Sequence, residues 1–357
     1  EIYTALDSDL GMLMYTSGTT GKPKGVKQTH RNIVTGGECL AYPNHVNSSD
    51  RFFCIAPLFH VGGIISTICV MRTGGVVVFS PAGWNPVGFL ETVEKHKVTW
   101  AFLVGLMGAQ LAMVEDLGKY DLSSLRHVIF GGSPIPAAMY AKFEARYKCK
   151  TFELYGRTEH VGPSILYDVT DKRVPGSVGK MVGQTIKGKL IDPVTGREVA
   201  VGEPGELVVM GDNQTPGYWN KPEENAKLLT ADGWQHTGDV FTQNADGYYF
   251  FKERVDDMII SGGENVYPGE IVPILTKHPK VADAFVLGIQ HEAWGQQVAA
   301  VIVKRDESLT EQEILDYCSG REDLSGYKKP RAIRFVKEIP KTASQKIDKG
   351  ASLKLFQ

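Results

Sequence analysis

The chain has 357 residues, a formal net charge of -2, 42% hydrophobic residues and 22% charged ones. That length calls for more than one core, and the near-neutral balance argues against a basic face for nucleic acid or anionic lipid. Cys39, Cys54, Cys69, Cys149 and Cys318 are widely spaced with no Cys-x-x-Cys pair. Neither a disulfide framework nor a zinc site is indicated, and a cytoplasmic, reducing location is expected. The longest apolar stretch, residues 61–71, is too short to cross a bilayer, so no integral membrane segment is expected. A small-molecule substrate fits these bounds.

Taken in chain order, residues 11–15, 51–56, 76–79, 100–104, 127–130 and 151–154 read as short apolar strands, most of them bounded by Gly or Pro. Between them, residues 86–96 and 136–147 carry apolar positions at helical spacing. The alternation predicts an α/β fold with a mostly parallel sheet covered on both faces. Ligands are then expected beyond the carboxyl ends of the strands. From about residue 162 to 253, strand-like pieces at 187–191, 205–210 and 248–251 lie between Pro-Gly, Asp-Gly and Pro-Glu breaks, and predict a small β-rich subdomain. Beyond that, helix-like 269–276 and 310–318 with strands 283–288, 297–304 and 332–336 predict a compact α+β domain. Residues 1–253 and 254–357 are the expected domains.

The strongest local signal runs from Tyr15 through Thr16, Ser17, Gly18, Thr19, Thr20, Gly21, Lys22, Pro23 and Lys24 to Gly25. Glycines let backbone N–H groups approach an anion, hydroxyls donate hydrogen bonds, and lysines add mobile positive charge. The residues describe a triphosphate cradle. It is not a Walker A loop, because Thr16 stands where its first Gly would be and Pro23 follows the Lys.

This segment resembles the phosphate-binding signature of the adenylate-forming superfamily, and further motifs follow in that family's order. Closest in texture are acyl- and aryl-CoA synthetases similar to 4-chlorobenzoate-CoA ligase. The resemblance implies an ATP-dependent, AMP-forming acid–thiol ligase that makes an acyl-adenylate and then a coenzyme A thioester. ATP, Mg²⁺, CoA and a small carboxylic acid would be its ligands, and a homodimer its possible assembly. It also implies that a region preceding the phosphate loop is missing and that residues 254–357 form a mobile C-terminal domain.

The remaining assignments come from this resemblance. Tyr155-Gly156-Arg157-Thr158-Glu159 is similar to the family's Tyr-Gly-x-Thr-Glu: Tyr155 and Gly156 would flank the adenine, Thr158 would contact phosphate, and Glu159 would hold Mg²⁺. Gly132, in Gly131-Gly132-Ser133-Pro134, would lie beside both adenine and acyl group. Asp239 and Arg254 would meet the ribose. Asp256 would be the hinge of the mobile domain, with Gly262 and Gly263 beside the pantetheine arm of CoA. Lys346 would reach the carboxylate and α-phosphate during adenylation. His60, Val61, Val104, Gly132 and Val161 would line the acyl pocket, with Gly105 and Gly162 as further candidates. His60 reads equally as a satisfied core histidine.

Three positions depart from the family's pattern: Glu253 stands where Gly is common, Gln345 replaces Gly, and Lys349 stands near a place often held by Arg. Arg157 brings a cation into the central motif. It either pairs with a neighbouring carboxylate or faces a second carboxylate on the substrate. Competing readings for the whole chain are an adenylation domain that loads a carrier-protein thiol, and a non-catalytic nucleotide-binding fragment.

Overall fold

The computed structural model describes residues 4–16, 23–80, 83–132, 137–183, 185–341 and 347–357. The chain forms two units, one of Glu1–Thr237 with Thr242–Phe251, the other of Gly238–Phe241 with Lys252–Gln357.

The first unit opens with β1 (Leu10–Thr16), β2 (Lys24–Thr29) and α1 (His30–Ala41). Then come β3 (Arg51–Cys54), α2 (Val61–Arg72), β4 (Val76–Phe79), α3 (Pro86–His96), β5 (Trp100–Leu103) and α4 (Gly105–Ala112). They are followed by β6 (His127–Phe130), α5 (Ala137–Tyr147), β7 (Lys150–Arg157), β8 (Gly162–Leu166) and β9 (Lys180–Met181). A second sheet uses β10 (Lys187–Ile191) and β11 (Gly205–Met210), then, after α6 (Pro222–Leu228), β12 (Gln235–Gln243) and β13 (Tyr249–Arg254), in the order β10-β11-β12-β13.

The large sheet has the order β4-β3-β5-β6-β7-β8-β9, parallel from β4 to β7 and antiparallel at β7/β8 and β8/β9. Period-2 alternation along its strands sends side chains into two cores. Phe53, Ala101, Leu103, Val128 and Phe130 meet Phe89, Leu90 and Val93 of α3 and Tyr140, Phe143 and Tyr147 of α5. On the other face Phe52, Cys54, Trp100, Phe102 and Ile129 meet Cys39 and Leu40 of α1 and Cys69 and Val70 of α2. The doubly covered parallel sheet expected from the sequence is therefore present.

Three details differ from the expectation. Strand β1 pairs antiparallel with β2 in its own two-stranded sheet, because Lys24–Thr29 returns directly alongside it. Strand β7 does not stop at Leu154 but runs through Tyr155 to Arg157, since β8 supplies hydrogen-bonding partners that far. For the same reason β8 and β9 extend the large sheet past residue 161, where the β-rich subdomain was expected to begin.

In the second unit come β14 (Ile259–Ser261), β15 (Glu264–Val266), α7 (Pro268–Thr276), β16 (Val281–His291), β17 (Gly295–Lys304), α8 (Glu311–Ser319), β18 (Ala332–Val336) and α9 (Lys349–Lys354). The sheet order is β15-β14-β17-β16, with β18 parallel to β17. Ile259, Ile271, Leu275, Val286, Val298, Ala300, Ile302 and Ile314 form its core. All five cysteines are free and buried. Burial pushes the thiols of Cys39, Cys69 and Cys149 up to about 12 and that of Cys318 to about 11. No helix among the described residues is long and apolar enough to cross a membrane.

Candidate active site

The strand order carries the site's location. From β3 the chain steps outward to β4, then crosses back past β3 to β5 and continues in the other direction. A crevice opens at such a reversal, beyond the carboxyl ends of the strands on either side. A cavity of about 520 Å³ lies there. Ile55, Ala56 and Pro57 leave β3, Phe102 lies in β5 and Val104 follows it, Gly132 follows β6, and Gly156 and Arg157 end β7 with Thr158 next. Val61, Gly62, Ile65 and Ser66 of α2, Met107 of α4 and Leu40 of α1 complete much of the wall.

Two titratable side chains, His60 and Arg157, face this apolar lining. His60 is the N-cap of α2, its Nδ1 accepting from the Gly62 N–H at 3.1 Å. Burial holds its imidazole below the ordinary range, so it is neutral and serves as wall and cap.

The end of β7 is fixed by close backbone contacts. A Cβ on Gly156 would sit 2.4 Å from the Gly162 carbonyl oxygen, so only glycine lets β7 and β8 approach here. Buried Gln28 donates to the Thr158 carbonyl at 3.1 Å, and the Thr215 N–H donates to the Glu159 carbonyl at 2.9 Å. Glu159, 8% exposed, has one carboxylate oxygen bonded by the Tyr218 hydroxyl at 2.8 Å. Its other oxygen lies 3.6 Å from Arg157 Nη2, and Arg157 Nη1 donates to the His236 carbonyl at 3.2 Å. Burial, and then the Glu159 charge, raise the Tyr218 phenol well above its usual range, keeping it a donor. His236 in turn meets buried Glu206 at 3.0 Å, a bond that raises the imidazole's pKa.

The sequence reasoning did not find Gln28, Tyr218 or Glu206. Tyr218 lies 59 residues from Glu159 and no spacing links them. The pocket residues Leu40, Ile65, Phe102 and Met107 were equally hidden, because an apolar side chain in a core-facing pattern gives no sign that it borders a void.

Of the expected acyl-pocket residues, His60, Val61, Val104 and Gly132 line the cavity together, as does Gly162. Gly105 and Val161 are not among the residues that line it. Val161 is fully buried in a cluster with Met14, Val61 and Ile65, the last two of which border the cavity. Its backbone has φ +47°, rare for a β-branched residue, and its carbonyl packs against Gly36 of α1. Thr16 closes β1 and Lys24 opens β2; Lys24 pairs with Glu224 and lies over the Tyr218 ring. Ser17, Gly18, Thr19, Thr20, Gly21 and Lys22, with Ser133, Pro134 and Lys346, lie outside the described residues. In the second unit Asp239 and Arg254 pair at 3.1 Å. Asp256 sits in the 3-10 turn Val255–Asp257, and Gly262 and Gly263 make the β14–β15 turn with φ +62° and +85°.

Among the described residues no cluster of three or more metal-ligating side chains occurs. A cation caged wholly by protein is not what these residues offer. One carboxylate, Glu159, suits Mg²⁺, which is commonly held through one or two carboxylates plus substrate phosphate oxygens.

This fold, together with the family and relatives it matches, makes the chain an ATP-dependent ligase that activates a carboxylic acid as an acyl-adenylate and transfers the acyl group to CoA, with Mg²⁺ as cofactor. The chain belongs to the AMP-binding enzyme family: that family's model matches residues 4–219, and the model of the AMP-binding enzyme C-terminal domain matches 270–346. It is 36% identical over 356 residues to a feruloyl-CoA synthase of Amycolatopsis sp, covering 98% of this chain and 70% of that protein. It is 34% identical over 344 residues to a long-chain-fatty-acid–CoA ligase of Bacillus subtilis (strain 168), covering 96% of this chain and 61% of that one. Among solved structures it resembles ATP-bound MatB from Rhodopseudomonas palustris, with TM-score 0.83, 26% identity, and 98% of this chain and 69% of that one covered. It also resembles o-succinylbenzoate CoA synthetase from Bacillus subtilis in complex with ATP and magnesium ion, with TM-score 0.82, 30% identity, and 99% and 72% covered.

Proposed function

We propose that this ligase activates an apolar monocarboxylic acid of aryl-propenoate or medium-chain size, with the acyl body in the cavity between β3, β5 and β7. The observation that carries the reading is a mostly apolar cavity of about 520 Å³ whose lining includes Thr158, the residue before Glu159. Arg157 and His60 already have protein partners, which supports an acid without a second charge, because a buried charge lacking a partner is costly. The names of the feruloyl-CoA and long-chain-fatty-acid relatives agree with an apolar acyl body.

Bringing the carboxylate to the α-phosphate joins two anions. At 4 Å their repulsion is about 4 kcal/mol at an effective dielectric of 20. Thr158, Lys22, Lys24 and the hydroxyl and backbone donors of the phosphate loop would cradle the phosphates. Tyr155, Gly156 and Gly132 would border the adenine, and Asp239 with Arg254 would hold the ribose. Glu159 would ligate Mg²⁺, which supplies charge neutralisation at the phosphate oxygens when bound. Lys346 would stabilise the charge on the reacting oxygens as pyrophosphate leaves in line. Asp256 would then act as the hinge that exchanges Lys346 for Gly262 and Gly263, beside which the thiol arm of CoA would reach the adenylate. The buried free thiols support a reducing, cytoplasmic setting.

A pyrophosphate-release assay on the full-length protein tests this, comparing cinnamates and C6–C12 acids with their dicarboxylic counterparts. Turnover of the monoacids is expected, with the diacids at least about tenfold poorer; release with none of them sinks the proposal. The Lys346→Ala variant should lose about 100- to 1,000-fold in pyrophosphate release. Its rate of CoA capture from preformed adenylate should change far less. Unchanged pyrophosphate release would remove Lys346 from the reaction.

A further inference from the structure

We propose that Arg157 is a positioning residue, which holds Glu159 ready for the metal and yields one carboxylate oxygen to it when MgATP binds. This rests on reading Glu159 as the Mg²⁺ ligand. The carboxylate is gripped from two sides, by the Tyr218 hydroxyl at 2.8 Å on Oε1 and by Arg157 Nη2 at 3.6 Å on Oε2. The first distance is a hydrogen bond. The second is an ion pair outside hydrogen-bond range, so it gives charge compensation without a directional bond that must be broken. Arg157 is anchored at its other nitrogen, Nη1 donating to the His236 carbonyl at 3.2 Å, so the guanidinium need not leave the site to release Oε2. Such a carboxylate, buried among protein atoms, needs a counter-charge when no metal is bound. A rigid fork can supply it while keeping a second anchor, which a lysine ammonium cannot do from the same place. Arg157 and Mg²⁺ therefore compete for Oε2.

The test uses Arg157→Met and Arg157→Gln in the full chain, with ATP binding followed by calorimetry across a Mg²⁺ series, without acid or CoA. In both variants the Mg²⁺ concentration for half-maximal ATP binding should fall about three- to tenfold. The kcat for pyrophosphate release should fall about tenfold, equally for mono- and dicarboxylic acids. A loss confined to dicarboxylic acids, an unchanged Mg²⁺ requirement or a raised one overturns the proposal. In wild-type crystals, ATP with EDTA should leave the Arg157–Glu159 distance as it is, and MgATP should lengthen it by about 1 Å or more; a metal seated with the pair unmoved also overturns it. Glu159→Gln separates the two failures. If that variant keeps the wild-type Mg²⁺ dependence, the metal assignment of Glu159 falls rather than the role of Arg157.

Discussion

The cavity wall of the first unit and residues 253–257 of the second are built on opposite physical terms. At the cavity, backbone touches backbone: β7 and β8 approach so closely that Gly156 has no room for a methyl group, and the side chains around it are apolar. In residues 253–257, polar side chains do the holding. Glu253, 7% exposed, accepts from the Gly269 N–H at 3.3 Å at the start of α7, and its Oε1 has no hydrogen-bond partner among the described residues. Lys349 of α9 pairs with Asp257, and a cavity of about 320 Å³ lies between them and Phe285. Packing gives a fixed shape that tolerates no added atoms. A polar arrangement around a void responds instead to proton concentration.

The sharpest way to test that contrast is to titrate it. Burial raises the Glu253 carboxyl from 4.5 to about 8. The folded state thus holds a proton that the unfolded chain has released between those values. Stability of the second unit is complete below pH 4.5, declines as pH rises through the window and reaches its floor above pH 8. At about 1.4 kcal/mol per unit the decline amounts to up to roughly 5 kcal/mol. Glu253→Gln should flatten it, read as thermal melts from pH 5 to 9; parallel melting curves for the two proteins would refute the assignment. A smaller effect is expected from Gly156→Ala, where strands β7 and β8 must part, at about 1–3 kcal/mol of stability with weakened nucleotide binding. Wild-type stability in that variant would mean the strands yield freely. Least is expected from Lys349→Met. Its side chain is 53% exposed, and such pairs contribute about 0–1 kcal/mol. Urea melts should show a loss under about 1 kcal/mol, and anything larger would make the Lys349–Asp257 pair a structural element.

How much of this was legible depends on whether a feature is local. The parallel strands could be read because each is a short apolar run with its own alternation, and the motif residues Tyr155–Glu159 because they are contiguous. Helix α1 was missed, since its interior carries Gly36 and Gly37, poor helix formers that tertiary packing overrides. Helix α2 lay hidden in the apolar run that was considered only as a membrane candidate. The left-handed backbone of Val161, which buries it beside Met14 and Ile65, has no signature in the sequence. The partners of Glu159 and Lys24 come from residues 218 and 224, and such pairings follow from the folded path rather than from any local pattern.

The cysteines carry a practical consequence. Four of them, Cys39, Cys54, Cys69 and Cys149, belong to the first unit and Cys318 to the second. Because the thiolate is the reactive form, thiols so shielded and so weakly acidic should ignore alkylating dyes until the polypeptide around them opens. A mass spectrum of partly labelled protein then becomes an opening record for each half of the molecule. Adducts of one dye on Cys318 report the C-terminal half coming apart alone, and adducts of up to four dyes on the other cysteines report the N-terminal half.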